Sequence, residues 1–87
     1  MQLDNNQQLY EYLVGTAAKL NACGAVELGG AVLAASRHVR AIPATEFLGE
    51  SCIALRRVEK QPSLLSENER SELSDVLHQL DEAFTRR

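Results

Sequence analysis

The sequence predicts an all-α fold, a small bundle of about four helices. Three observations lead there. Four segments carry apolar residues at steps of three and four, no segment sustains the alternation of a strand, and turn-forming residues separate the periodic segments. With 87 residues the chain suits a single helical domain spanning 1–87. A chain this short buries only about 60 to 65% of its unfolded surface, so association with a second copy would add useful core. A dimer is therefore expected.

The first helix follows Asp4-Asn5-Asn6, whose short polar side chains suit an N-cap, and places Leu9, Leu13, Ala17 and Leu20 on one face. Gly24 supplies its stop, because glycine enters the left-handed region without a Cβ penalty. The second helix is expected over about 25–41. Its stripe is Ala25, Leu28, Val32, Ala35, Val39 and Ile42, and Pro43 ends it. Gly29 and Gly30 are unusual in a helix interior, each costing up to about 1 kcal/mol relative to Ala. With Ala31, Ala34 and Ala35 they form a small-residue surface that another helix could approach closely.

The third helix is expected over about 45–60. Leu48, Cys52 and Leu55 form its stripe, and Phe47, Ile53 and Val58 widen it, which suggests a central helix with two neighbours. Gln61-Pro62-Ser63 breaks the chain. Ser66-Glu67-Asn68-Glu69 then reads as a capping box, followed by the stripe Leu73, Val76, Leu77, Leu80, Ala83 and Phe84. Glu67 and Glu69 near the start and Arg86 and Arg87 near the end suit the helix dipole. By this reading the third and second helices are the most buried.

Charge and composition exclude several classes of function. A net charge of −3 opposes non-specific attraction to a polyanion, and the scarcity of aromatics, two Tyr, two Phe and no Trp, leaves little to stack on bases. Direct nucleic-acid binding is not expected. No apolar run approaches the ~18–20 residues that span a bilayer, and no cationic leader precedes an apolar stretch. No membrane association and a cytoplasmic location are the corresponding expectations. Cys23 and Cys52 have neither zinc-ligand nor redox-pair spacing and are expected to be buried thiols.

The chain offers little material for catalysis. His38 and His78 are its two imidazoles. His78 has polar neighbours one turn away and reads as a surface residue. His38, in Ser36-Arg37-His38-Val39-Arg40, lacks the His-x-x-Lys-Gly pattern of phosphotransfer domains. No GxGxxG or GxxxxGK pattern surrounds the glycines. No catalytic residue, cofactor site or metal site is expected, and the chain is read as a non-enzyme. The residues expected to meet a second copy or a partner are Gly29, Gly30 and Ala34 on the second helix and Leu73, Leu77 and Leu80 on the last. Residues 28–60 carry five bases against three acids. Arg37, Arg40, Arg56, Arg57 and Lys60 are read first as a solvated face, then as a surface for an acidic protein, and last as a phosphate-contacting one.

The order of features resembles the short all-helical YmgB/AriR-type biofilm and acid-resistance regulators. The leading helix contributes Leu9, Tyr12 and Leu20. Glu27-Leu28-Gly29-Gly30-Ala31-Val32 is similar to the family's central helix. A helix ending Leu55-Arg56-Arg57-Val58-Glu59 and a last helix through Arg70, Leu73, Val76 and Leu77 complete a likeness covering about residues 7–84. Pro43 and the Arg37–Arg40 run depart from the family's shorter, more polar turn. The resemblance implies a cytoplasmic homodimer without enzyme activity that connects signals to two-component, biofilm or stress responses. The family's likeness to Hha-type nucleoid modulators implies indirect action on DNA-bound complexes. A different class, a secretion-system chaperone or an antagonist of one effector, is the alternative function for an acidic helical chain of this size.

Overall fold

The computed structural model describes residues 3–42 and 45–85, and four α-helices account for most of them: α1 (Asn6–Ala22), α2 (Val26–Ser36), α3 (Thr45–Glu59) and α4 (Glu67–Thr85). A short 3₁₀ turn, Pro62–Leu64, fills the break before α4. No strand occurs among the described residues. Pro43, Arg86, Arg87 and the side chain of Phe84, all invoked above, lie outside the description.

Each helix boundary has a chemical cause. The Asn5 side chain accepts from the Gln8 backbone N–H at 2.9 Å and starts α1. At the other end Gly24, at φ +84°, allows the Gly24 N–H to reach Asn21 O and the Ala25 N–H to reach Leu20 O, so two otherwise orphaned carbonyls are satisfied. The capping box of α4 forms in both directions: Ser66 N–H donates to Glu69 Oε1 at 2.8 Å, and Glu69 N–H donates to Ser66 Oγ at 3.2 Å.

The second helix is shorter than its apolar spacing implies, ending at Ser36 rather than near 41. The Ser36 hydroxyl donates to Leu33 O at 2.6 Å, and that carbonyl is the α-helical acceptor for the next N–H. The Arg37, His38 and Val39 N–H groups turn instead to carbonyls three residues back. Val39 still packs against the core, but Ile42 is 94% exposed and belongs to no stripe.

Each helix packs chiefly against its neighbour in sequence, α1 on α2, α2 on α3 and α3 on α4. Side-chain links tie α1 and the segment before it to α4: Lys19 of α1 pairs with Glu69, and Leu3 N–H donates to Gln79 Oε1 at 2.7 Å. The core takes Leu9, Leu13, Ala17 and Leu20 from α1, and Val32 and Ala35 from α2. From α3 it takes Phe47, Ala54, Leu55 and Val58, and from α4 Leu73, Val76, Leu77 and Leu80. Ser51 is also fully buried, its hydroxyl donating back to Phe47 O at 2.7 Å, so no polar group there lacks a partner.

Three expectations about burial need correction. The buried face of α3 centres on Phe47, Ser51, Ala54 and Val58, with Leu48 and Cys52 only half-buried, so Ile53, about 200° around the helix from Ser51, projects into solvent at 61% exposure. And α2 is not among the most enclosed helices, because Val26, Glu27, Gly30 and Ala34 are all exposed. Cys23 is likewise exposed rather than a core thiol.

Candidate interaction surface

The residues expected to meet a partner divide sharply. Leu73, Leu77 and Leu80 are each 2% exposed, committed to the chain's own core, and in this fold offer nothing to a second molecule. Gly29 is also used internally. A Cβ there would run into the Asn21 side chain and lie 3.2 Å from Ala17 O, so this glycine is what lets α1 and α2 approach. Gly30 and Ala34 do face solvent, and a Cβ at Gly30 would meet nothing within 4 Å.

The basic set divides too. Arg56 is engaged within the bundle, with one nitrogen 2.6 Å from Asp81 Oδ2 on α4 and another 3.3 Å from Glu59 Oε1. Its charge is neutralised where it stands, and the hydrogen bond it donates to Asp81 raises its already high pKa. Arg37 and Arg40 are exposed at the C-terminal end of α2, whereas Arg57 and Lys60 are exposed at the C-terminal end of α3. His38 Nδ1 lies 3.5 Å from Glu46 Oε1, which sets the end of α2 beside the start of α3. The two pairs of cations therefore stand at opposite ends of an antiparallel couple, and no single basic face forms.

What the fold does assemble is a pair of solvent-facing stripes. On α2, Glu27, Gly30, Ala34 and Arg37 recur at steps of three, four and three, all exposed. On α3, Glu46, Glu50, Ile53 and Arg57 recur at four, three and four, and Lys60 follows three residues on, again all exposed. Between them runs a shallow cleft of about 120 Å³. Ala31, Ala34, Ala35 and Ala54 line its apolar part, and Ile53 stands beside His38, Glu50 and Arg57 at its polar part. Small side chains on both helices expose a close-packed, low-relief surface, and Ile53, 61% exposed, stands in it.

This geometry suits a flat macromolecular contact better than a small ligand. Pockets for small molecules generally enclose about 300–1,000 Å³. Two larger depressions lie elsewhere. One, of about 200 Å³, lies among Leu3, Asn5, Leu9, Leu48 and Leu80. The other, a broad open bowl of about 410 Å³, lies around the α1–α2 turn beside Gln61 and Leu64. Neither gathers a set of titratable groups. Among the described residues no group of three or more His, Cys, Asp and Glu is placed to hold a metal ion, and no helix is long and apolar enough to cross a membrane. His78 lies on the exposed face of α4 with Nε2 2.8 Å from Glu82 Oε1.

Three residues of this surface, Ile53, Glu46 and Glu50, do not stand out in the sequence. Ile53 reads as core because it is apolar, and Glu46 and Glu50 carry no motif. The signal that finds them is the 46, 50, 53, 57, 60 spacing, a heptad-like stripe acidic at one end and basic at the other. No family model, curated protein or solved structure matches the chain.

Proposed function

We propose that the chain is a small regulatory adaptor, without enzyme activity of its own, that works by protein–protein contact through the α2–α3 face. The observation that carries the reading is the alanine-lined cleft with Ile53 exposed beside it. A large apolar side chain held in solvent, framed by charges and small residues, is the usual composition of a contact patch with a polar rim. The resemblance to YmgB/AriR-type regulators supports the same reading and suggests two-component, biofilm or stress signalling as its setting. Arg37, exposed at one end of the α2 stripe, suits an acidic partner.

The test is site-specific photocross-linking inside the native cell. A cross-linker at Ala34 captures one protein in stoichiometric amount, and the capture falls when Arg37 is changed to Glu. A cross-linker at Gln7, on the exposed side of α1, serves as control. Equal yields from Ala34 and Gln7 would overturn the reading. Capture of a single exported effector that is degraded without this chain would assign the dedicated-chaperone role instead.

A further inference from the structure

The α3 stripe has an internal symmetry that the α2–α3 reading leaves unused. Its five exposed residues run acid, acid, apolar, base, base: Glu46, Glu50, Ile53, Arg57, Lys60. At about 1.5 Å of rise per residue, Glu50 lies about 4.5 Å to one side of Ile53 and Arg57 about 6 Å to the other, while Glu46 and Lys60 both lie about 10.5 Å away. Rotating the stripe by 180° about an axis through Ile53 therefore lays bases on acids.

Within the chain these charges are largely unspent. Glu50, Arg57 and Lys60 have no ion-pair partner among the described residues, and Glu46 faces only His38 at 3.5 Å. The helix dipole favours acids at the start of α3 and bases at its end. It gives no reason for Ile53 to stand exposed at the midpoint.

We infer that the α3 stripe is the seam for a second copy of this chain, the two α3 helices antiparallel about a twofold axis near Ile53, with Arg57 opposite Glu50 and Lys60 opposite Glu46 across the pair. A twofold contact is self-complementary, and this charge order is what such a contact requires. A parallel pairing would set acid on acid and base on base, so the same residues that favour one orientation exclude the other. The inference rests on the proposed function only in treating this face as a protein contact. It leaves Glu27, Gly30, Ala34 and Arg37 on α2 for a different partner. Two facing helices cover less than the roughly 1,600 Å² of a standard interface, so the pair is reversible and salt-sensitive.

Sedimentation equilibrium of the full chain up to several hundred micromolar tests it, with circular dichroism confirming that each variant is folded. The wild type reaches twice its 9.6 kDa mass. Glu46→Lys/Glu50→Lys makes the stripe wholly basic and Arg57→Glu/Lys60→Glu makes it wholly acidic. Each alone associates at least about tenfold more weakly than wild type, and an equimolar mixture of the two recovers association. Ile53→Asp, at an exposed site that does not burden folding, also remains monomeric. A wild type that is monomeric throughout overturns the inference, and if Ala34 still captures its partner the adaptor reading stands. A dimer untouched by both charge reversals and by Ile53→Asp overturns the seam. A dimer that follows the charge pattern in a chain that captures nothing at Ala34 supports the seam and removes the adaptor reading.

Discussion

At the scale of single residues, Ser66 and Glu69 show how one short motif fastens both a helix and the bundle. Glu69 accepts from the Ser66 N–H with one carboxylate oxygen and meets Lys19 of α1 with the other. Its pKa falls from the ordinary 4.5 to about 2, chiefly through the Lys19 hydrogen bond and then the Ser66 N–H. A carboxyl depressed in the folded state contributes stability that is present in full above its unfolded pKa and is lost as the pH falls toward the folded one. The gap in urea stability between wild type and Glu69→Gln is accordingly wide at about pH 7 and narrows toward about pH 2.5, and a gap independent of pH would contradict the ion pair. Ser66→Ala removes the reciprocal bond and should cost about 1 kcal/mol in urea unfolding, whereas no measurable loss would mean the cap is idle.

At the scale of elements, the two adjacent glycines of α2 do opposite things. Gly29 is pressed against α1, where the Asn21 side chain and Ala17 O occupy the space of a Cβ, while Gly30 faces open solvent. Gly30→Ala should therefore raise stability by about 0.5–1 kcal/mol through helix propensity alone. Gly29→Leu should lower it by about 1–3 kcal/mol, because α1 has to move away. Thermal unfolding of the two variants checks the pair of signs, and equal responses would contradict the α1–α2 packing. The small-residue run was legible in the sequence as a place of close helix approach, but which glycine met a helix was not. That depends on the rotation of α2 against α1. The end of α2 was misplaced for a different reason: apolar spacing continues to Ile42, whereas from Arg37 on the backbone N–H groups turn to carbonyls three residues back.

At the scale of the molecule, the four stripes gave the fold class, because each helix had to hide a face and the faces were written in period. The capping box and the Gly24 stop were equally plain, being chemistry between near neighbours. The candidate surface was much less legible. Leu73, Leu77 and Leu80 looked like partner residues only while the number of helices competing for them was unknown, and Ile53 looked like core because apolarity alone does not give a helix its rotation. Leu77→Ala should cost about 2–5 kcal/mol as a core cavity, whereas Ile53→Ala should change monomer stability by no more than about 0.5 kcal/mol, as urea unfolding at low protein concentration would show. Comparable losses would place Ile53 inside after all. The proposed mode of action is contact through the α2–α3 face, with α3 as the meeting line of two copies. Its most direct measurement is an amide-resolved NMR dilution series. Concentration-dependent shifts should gather at residues 46–60, along α3 and its C-terminal end, with α1 and the exposed side of α4 unmoved. Spectra that stay constant over the whole range, or shifts gathered on α1 or α4, would contradict it.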